Sequence, residues 1–139
     1  MSQNLESGIR ESLQNLVTSF DKKINKIALE NKITLSQFMV LEVLYSQGEM
    51  CISQVRDLIC SSVGTIPIII NNLEKANLIK RVCVPCDKRM SKLQLTNEGR
   101  EVISRLLPIN KSIIKNSFKN LSEDEKKQLL YLLNKIEIN

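Results

Sequence analysis

The sequence predicts a mainly α-helical chain with one small β-hairpin. Three observations carry that expectation. Apolar residues recur at spacings of three and four over long stretches at both ends, the repeat of a helix that buries one face. Cap signatures of the Ser/Thr-x-x-Glu/Gln type precede two helical stretches. Apart from a short extended piece at Cys51 and Ile52, two segments, 78–84 and 92–95, look like strands, the second alternating apolar and polar residues. The 139 residues, 42% of them hydrophobic, suit one domain with helical extensions. Aromatic residues make up 4% and Trp is absent, so the core falls to Leu, Ile and Val.

The elements follow in order. Leu5, Ile9, Leu13, Leu16, Val17, Phe20, Ile24 and Ile27 lie on one face of a helix over residues 5–30. Thr34 and Gln37 form a capping box, and Ile33 with Phe38 a hydrophobic staple, so a second helix starts at Thr34. Phe38, Leu41, Leu44 and Tyr45 are its expected buried face, and Gly48 its end. Cys51 and Ile52 make a short extended piece. Ser53 is the expected cap of a third helix that turns Val55, Leu58 and Ile59 inward. A break at 60–64 leads to a fourth helix, about 64–76, with Ser61 or Ser62 as its cap and Pro67 near its first turn. The two strands come next, joined by a charged loop from Pro85 to Ser91. Thr96 caps a long helix through Phe118 that Pro108 should kink. Ser122 and Glu125 box the start of a last helix with Leu129, Leu130, Leu133 and Ile136 on one face.

Two short helices joined by a tight turn and followed by a hairpin describe a winged helix-turn-helix. The expected organisation is an N-terminal dimerisation helix (1–33), the winged region (34–97) and C-terminal dimerisation helices (98–139). The outer helices carry more apolar surface than a small winged domain can cover, and a homodimer is the simplest use for it. The formal net charge is +5, and it is unevenly placed. Residues 51–96 hold seven basic side chains (Arg56, Lys75, Lys80, Arg81, Lys88, Arg89, Lys92) against three acidic ones (Asp57, Glu74, Asp87). A basic centre of this kind suits a polyanion such as double-stranded DNA. The absence of His removes Ser-His and Cys-His catalysis and His-ligated metal sites. No acidic pair sits in an apolar setting, so neither enzyme activity nor a cofactor is expected. No apolar run approaches the roughly 20 residues of a membrane span, and no secretory signal opens the chain. The expected compartment is the cytoplasm.

Residues 78–99 run Leu-Ile-Lys-Arg-Val-Cys-Val-Pro-Cys-Asp-Lys-Arg-Met-Ser-Lys-Leu-Gln-Leu-Thr-Asn-Glu-Gly. This segment resembles the wing of the MarR family of transcription regulators. That family's pattern is Gly-Leu-Ile/Val-x-Arg-x-x-Asp-Pro-x-Asp-Arg-Arg, followed by Leu-Thr-x-x-Gly. Arg81, Pro85, Asp87, Arg89, Leu95, Thr96 and Gly99 fall in register, and residues 71–75 resemble the helix end that precedes the wing. The resemblance implies a DNA-binding regulator, commonly a repressor released by a small-molecule effector. It places Arg89 in the minor groove, oriented by Asp87 through a charge-assisted bond. Lys88 stands where the family often has Arg, and keeps the charge without the fork. Arg81 would hold the wing base or touch phosphate, and Lys92 adds positive charge to the second strand. The fourth helix would enter the major groove, with Ser61, Ser62, Gly64 and Thr65 at its phosphate-facing start and Asn71 and Asn72 along it. Ile68 stands where a polar base-reader is common. Either it touches thymine methyls, or base readout is weak and the wing carries the affinity. A winged interaction module that has lost operator binding is the alternative reading.

The chain holds four cysteines. Cys83 and Cys86 form a Cys-x-x-Cys spacing at the strand end, a candidate redox switch because neighbouring Lys and Arg favour the thiolate. Against it, such redox motifs normally open a helix, and free Cys is also an ordinary packed residue. One Cys pair is too few for a tetrathiolate metal site.

Overall fold

Asn4 caps a 26-residue helix, α1 (Leu5–Glu30), its side chain accepting from the Glu6 N–H. The structure is a computed structural model that describes residues 4–59, 66–84 and 87–138, with backbone alone at 84 and 87–90. α1 ends in a Schellman turn. Lys32 adopts φ 65°, and the Ile33 and Lys32 N–H groups return to the carbonyls of Ala28 and Leu29. Ala28 and Ile33, the apolar pair across that turn, are both buried.

α2 (Leu35–Gln47) starts in the expected capping box of Thr34 and Gln37 and stops at Gly48, whose φ is 83°. Phe38, Val40, Leu41 and Leu44 are buried. Tyr45 is not: it stays 40% exposed, with the Arg100 guanidinium 5.6 Å from its ring centre. Strand β1 (Met50–Cys51) leads straight into α3 (Ile52–Leu58). This helix starts before Ser53, which lies inside it, because the Gln54 side chain accepts from the Cys51 N–H. Val55 and Ile59 face the core as expected, whereas Leu58 is exposed.

α4 (Ile66–Lys75) carries Pro67 in its first turn, where a missing N–H costs nothing. It closes in a second Schellman turn: Asn77 has φ 60° and the Leu78 N–H reaches the Leu73 carbonyl at 3.0 Å. Leu78 is therefore spent on the turn. Strand β2 (Ile79–Val84) begins one residue later than expected. Its partner β3 (Asp87–Leu95) is longer than the expected 92–95. Asp87 to Ser91, expected as loop, belong to the strand, which leaves only 85–86 between the two. The sheet order is β1-β3-β2, all antiparallel.

Thr96 joins the hairpin to α5 (Asn97–Ser117). Its hydroxyl accepts from the Gly99 N–H at 3.0 Å and donates to the Asn77 carbonyl at 2.7 Å. α5 runs on through Pro108. α6 (Glu123–Asn134) opens in the Ser122–Glu125 capping box and has no buried residue. Ile136, expected on its face, lies beyond its end. α1, α2 and α5 pack together, and α2 also touches α3, α4 and β3. Leu41, Val55, Ile70, Leu73, Leu93, Ile103 and Leu106 form the centre of that core. No described helix is long and apolar enough to cross a membrane.

Candidate nucleic-acid interface

Two elements frame the predicted site, α4 and the β2–β3 hairpin. Ile66, Ile70 and Leu73 point α4 into the core. The opposite face carries Ile68, Asn71, Asn72 and Lys75, all exposed at helical spacing. Of the three consecutive isoleucines, it is Ile68 that stands outward, 56% exposed.

The hairpin's two faces follow from its register. Ile79 pairs with Leu95, Arg81 with Leu93 and Cys83 with Ser91, on the face that holds the core. Lys80 pairs with Gln94 and Val82 with Lys92, on the other face. Arg81 therefore points where Ile79 points, but one step further out, and it meets α4 rather than the core. Its Nε lies 2.6 Å from Glu74 Oε1, and its Nη2 donates to Asn71 Oδ1 at 2.8 Å. Lys92 stands on the outer face, 3.9 Å from Glu49, whose carboxylate also accepts from the Gln94 side chain. The structure thus joins Arg81 to Asn71 and turns Lys92 away from both.

Past Cys83 the register shifts. Val84 pairs with Asp87 while Cys83 pairs with Ser91, so Lys88, Arg89 and Met90 fall between these two pairs with no counterpart on β2. Arg89 is the middle residue of that three-residue excursion in register. The expected Asp87–Arg89 side-chain bond lies outside the described side chains. Ser61, Ser62, Gly64, Thr65 and Cys86 lie outside the described residues.

Cys83 is exposed and Cys51 half-buried. They occupy the two outer strands of the sheet with β3 between them, about two strand spacings or roughly 9–10 Å apart. That exceeds the reach of a disulfide. Among the described residues, no cluster of His, Cys, Asp or Glu could hold a metal ion.

Glu74 and Glu49 were not among the expected site residues. No spacing rule pairs a helix residue with a strand residue seven positions on; only the Asn77 turn brings them together. A separate small cavity of about 10 Å³ lies between α1, α2 and α5, lined by Ile24, Ile27, Ala28, Phe38, Leu106 and Asn110. The buried Asn110 Oδ1 has no hydrogen-bond partner among the described residues.

Residues 33–91 match the model of the MarR family. The HTH-type transcriptional regulator YkoM of Bacillus subtilis is 33% identical over 110 residues, which cover 79% of this chain and 71% of YkoM. A mutant Escherichia coli MarR, solved with operator DNA, superposes with a TM-score of 0.81 at 22% identity, over 96% of this chain and 98% of that one. Bordetella bronchiseptica BpsR, whose DNA binding is regulated by 6-hydroxynicotinic acid, gives a TM-score of 0.70 at 25% identity, over 89% and 97%. The family model spans α2 to the wing, the relative spans most of the chain, and the fold is shared end to end: the chain belongs to the MarR family and is a winged helix-turn-helix transcription regulator.

Proposed function

We propose that the chain acts as a homodimer on duplex operator DNA. In this reading α4 lies in the major groove and the excursion at Arg89 reaches the adjacent minor groove. The observation that carries it is the exposed face of α4, with Ile68, Asn71, Asn72 and Lys75, standing beside a basic hairpin on one scaffold. An outward helix face next to a basic hairpin fits the wide and narrow grooves of one duplex. Ser61, Ser62, Gly64 and Thr65 would meet phosphate ahead of α4, and Asp87 and Lys88 would support Arg89. Residues 1–33 and 98–139 would supply the dimer contact around the winged unit 34–97.

The regulator would act as a repressor, released by a small ligand or by oxidation of the Cys83 and Cys86 thiols. BpsR's response to an aromatic acid supports the first route. The exposure of Cys83 supports the second.

Selection of bound duplexes from a random pool tests the reading. It should enrich a two-fold repeated sequence, bound with strong salt dependence. Arg89→Ala should weaken that complex by about 1–3 kcal/mol. Full affinity in the variant would remove Arg89 from the interface. A chain that enriches no duplex but binds a protein regardless of salt would be the interaction module instead. For the thiol route, wild-type affinity that is unchanged by peroxide ends the idea.

A further inference from the structure

Arg81 is a cation that the DNA-facing surface cannot use freely. It stands at the root of the wing on the core-facing side of β2, and both of its described partners belong to α4. Glu74 and Asn71 are three residues apart, about one helical turn, so a single planar fork spans them. A guanidinium only donates. The Asn71 carbonyl must therefore face Arg81, which leaves the amino group of that amide as the part Asn71 can offer elsewhere. Asn71 itself lies on the exposed face of α4 next to Ile68, Asn72 and Lys75. A phosphate seeking Arg81 would have to displace a carboxylate already 2.6 Å away.

We propose that Arg81 is a positioning residue for DNA binding: it clamps the wing root to α4 and sets the Asn71 amide, so that helix and wing meet the duplex as one rigid unit. The inference rests on the operator-binding reading above and deepens it. Strand pairing is regular from Ile79 to Cys83 and shifts only beyond it. The segment at Arg89 lies beyond that shift, so its placement relative to α4 depends on the root, where Arg81 is tied. Freed of the tie, the hairpin and α4 would each have to be ordered on binding, and affinity would drop by that cost.

The test uses duplexes that the wild-type chain selects from a random pool, titrated between about 50 and 200 mM salt. The proteins are wild type, Arg81→Ala, Arg81→Lys, Asn71→Ala and the Arg81→Ala/Asn71→Ala pair. Arg81→Ala should bind roughly tenfold more weakly. The slope of log affinity against log salt should stay at the wild-type value, because no phosphate contact is lost. Lys should not restore binding, since a point charge cannot hold both acceptors. The double variant should lose little more than the worse single variant, because the two side chains act through one contact. Thermal melting of each variant reports folding; should Arg81→Ala melt early, Arg81→Lys carries the comparison alone.

A slope reduced by about 1, with Lys restoring affinity, would make Arg81 a phosphate contact and overturn the inference. Unchanged affinity in Arg81→Ala, or simple additivity with Asn71→Ala, would overturn it too. Those results leave the regulator reading standing. A wild-type chain that selects no duplex removes that reading, and this inference with it.

Discussion

At the scale of single residues, the tightest requirement among the described glycines sits at Gly99. A Cβ built there would lie 1.9 Å from the Leu78 carbonyl oxygen, a backbone atom that cannot swing aside. The same carbonyl accepts from the Thr96 N–H, and Thr96 caps α5. The first turn of α5 is thus pressed onto the chain just ahead of the wing. Gly99→Ala should destabilise the protein by about 1–3 kcal/mol or more, read as a fall in the urea midpoint; a midpoint within error of wild type would mean that the helix start can shift freely. Glu42 is a milder case. Burial pushes its carboxyl above the usual range. The folded chain therefore holds that proton more tightly than the unfolded chain does, and stability falls as pH rises through the raised value. Glu42→Gln should raise the melting temperature at pH 7, and only slightly, because the group is still half in solvent. The gain should vanish towards about pH 3, where the wild-type carboxyl is neutral in both states. A gain that persists in acid would point to packing instead of charge.

At the scale of elements, the two Schellman turns make a matched pair. Lys32 and Asn77 both hold left-handed backbone. Such a position is strained for Lys and tolerable for Asn, and Gly occupies it freely. Lys32→Gly should therefore stabilise the chain by about 0.5–1 kcal/mol, while Asn77→Gly should gain less; differential scanning calorimetry ranks the two, and the reverse order would contradict the strain argument. These turns also mark how far the sequence could be read. Helix starts were legible because a cap is a local pattern: Thr34 with Gln37, Thr96, and Ser122 with Glu125 all stand where the pattern puts them. The left-handed turn at Asn77 was not legible in the sequence, since Asn carries no requirement for it, although the Gly of the resembled family at that position suits such backbone. The extent of β3 was not legible, because Asp87 to Ser91 is charged and lacks alternation. Its strand character comes from pairing across a register shift, which no single-strand pattern encodes. Of the site, the outward turn of Ile68 was legible through the family resemblance, which puts a base-reader at that position. The Arg81–Glu74–Asn71 contact was not, since it needs a strand face, a helix face and the turn between them at once.

At the scale of the whole molecule, the question is what covers the outer helices. α1 has 26 residues, of which only Ala28 is fully buried. Leu5, Ile9, Leu16 and Val17 on its N-terminal half are exposed, as are Leu130 and Leu133 on α6 and Ile136 just after it. An open groove runs between the two, lined by Leu5, Ile9, Leu13 and Leu16 of α1 and by Leu129 and Leu133 of α6. The protomer's own cover on that half of α1 comes from Leu129, Leu133, Ile136 and Ile138, with the stacked rings of Phe20 and Phe118, 6.0 Å apart, further along, and it leaves the groove open and the leucines exposed. A helix so thinly packed is marginal in water by itself. A second copy placing its own α1 and α6 across the groove would remove this surface from solvent, and would space two winged units for two half-sites. Stability should then depend on concentration: the melting temperature should climb with each tenfold rise in protein, as about 1.4 kcal/mol of association free energy is added. Leu16→Glu with Leu130→Glu should give a monomer in sedimentation equilibrium. It should lose far-UV helical signal from α1 and bind DNA with half-site affinity only. A wild-type chain that stays monomeric at micromolar concentration, with α1 fully helical, would show that the groove is covered by something other than a second copy.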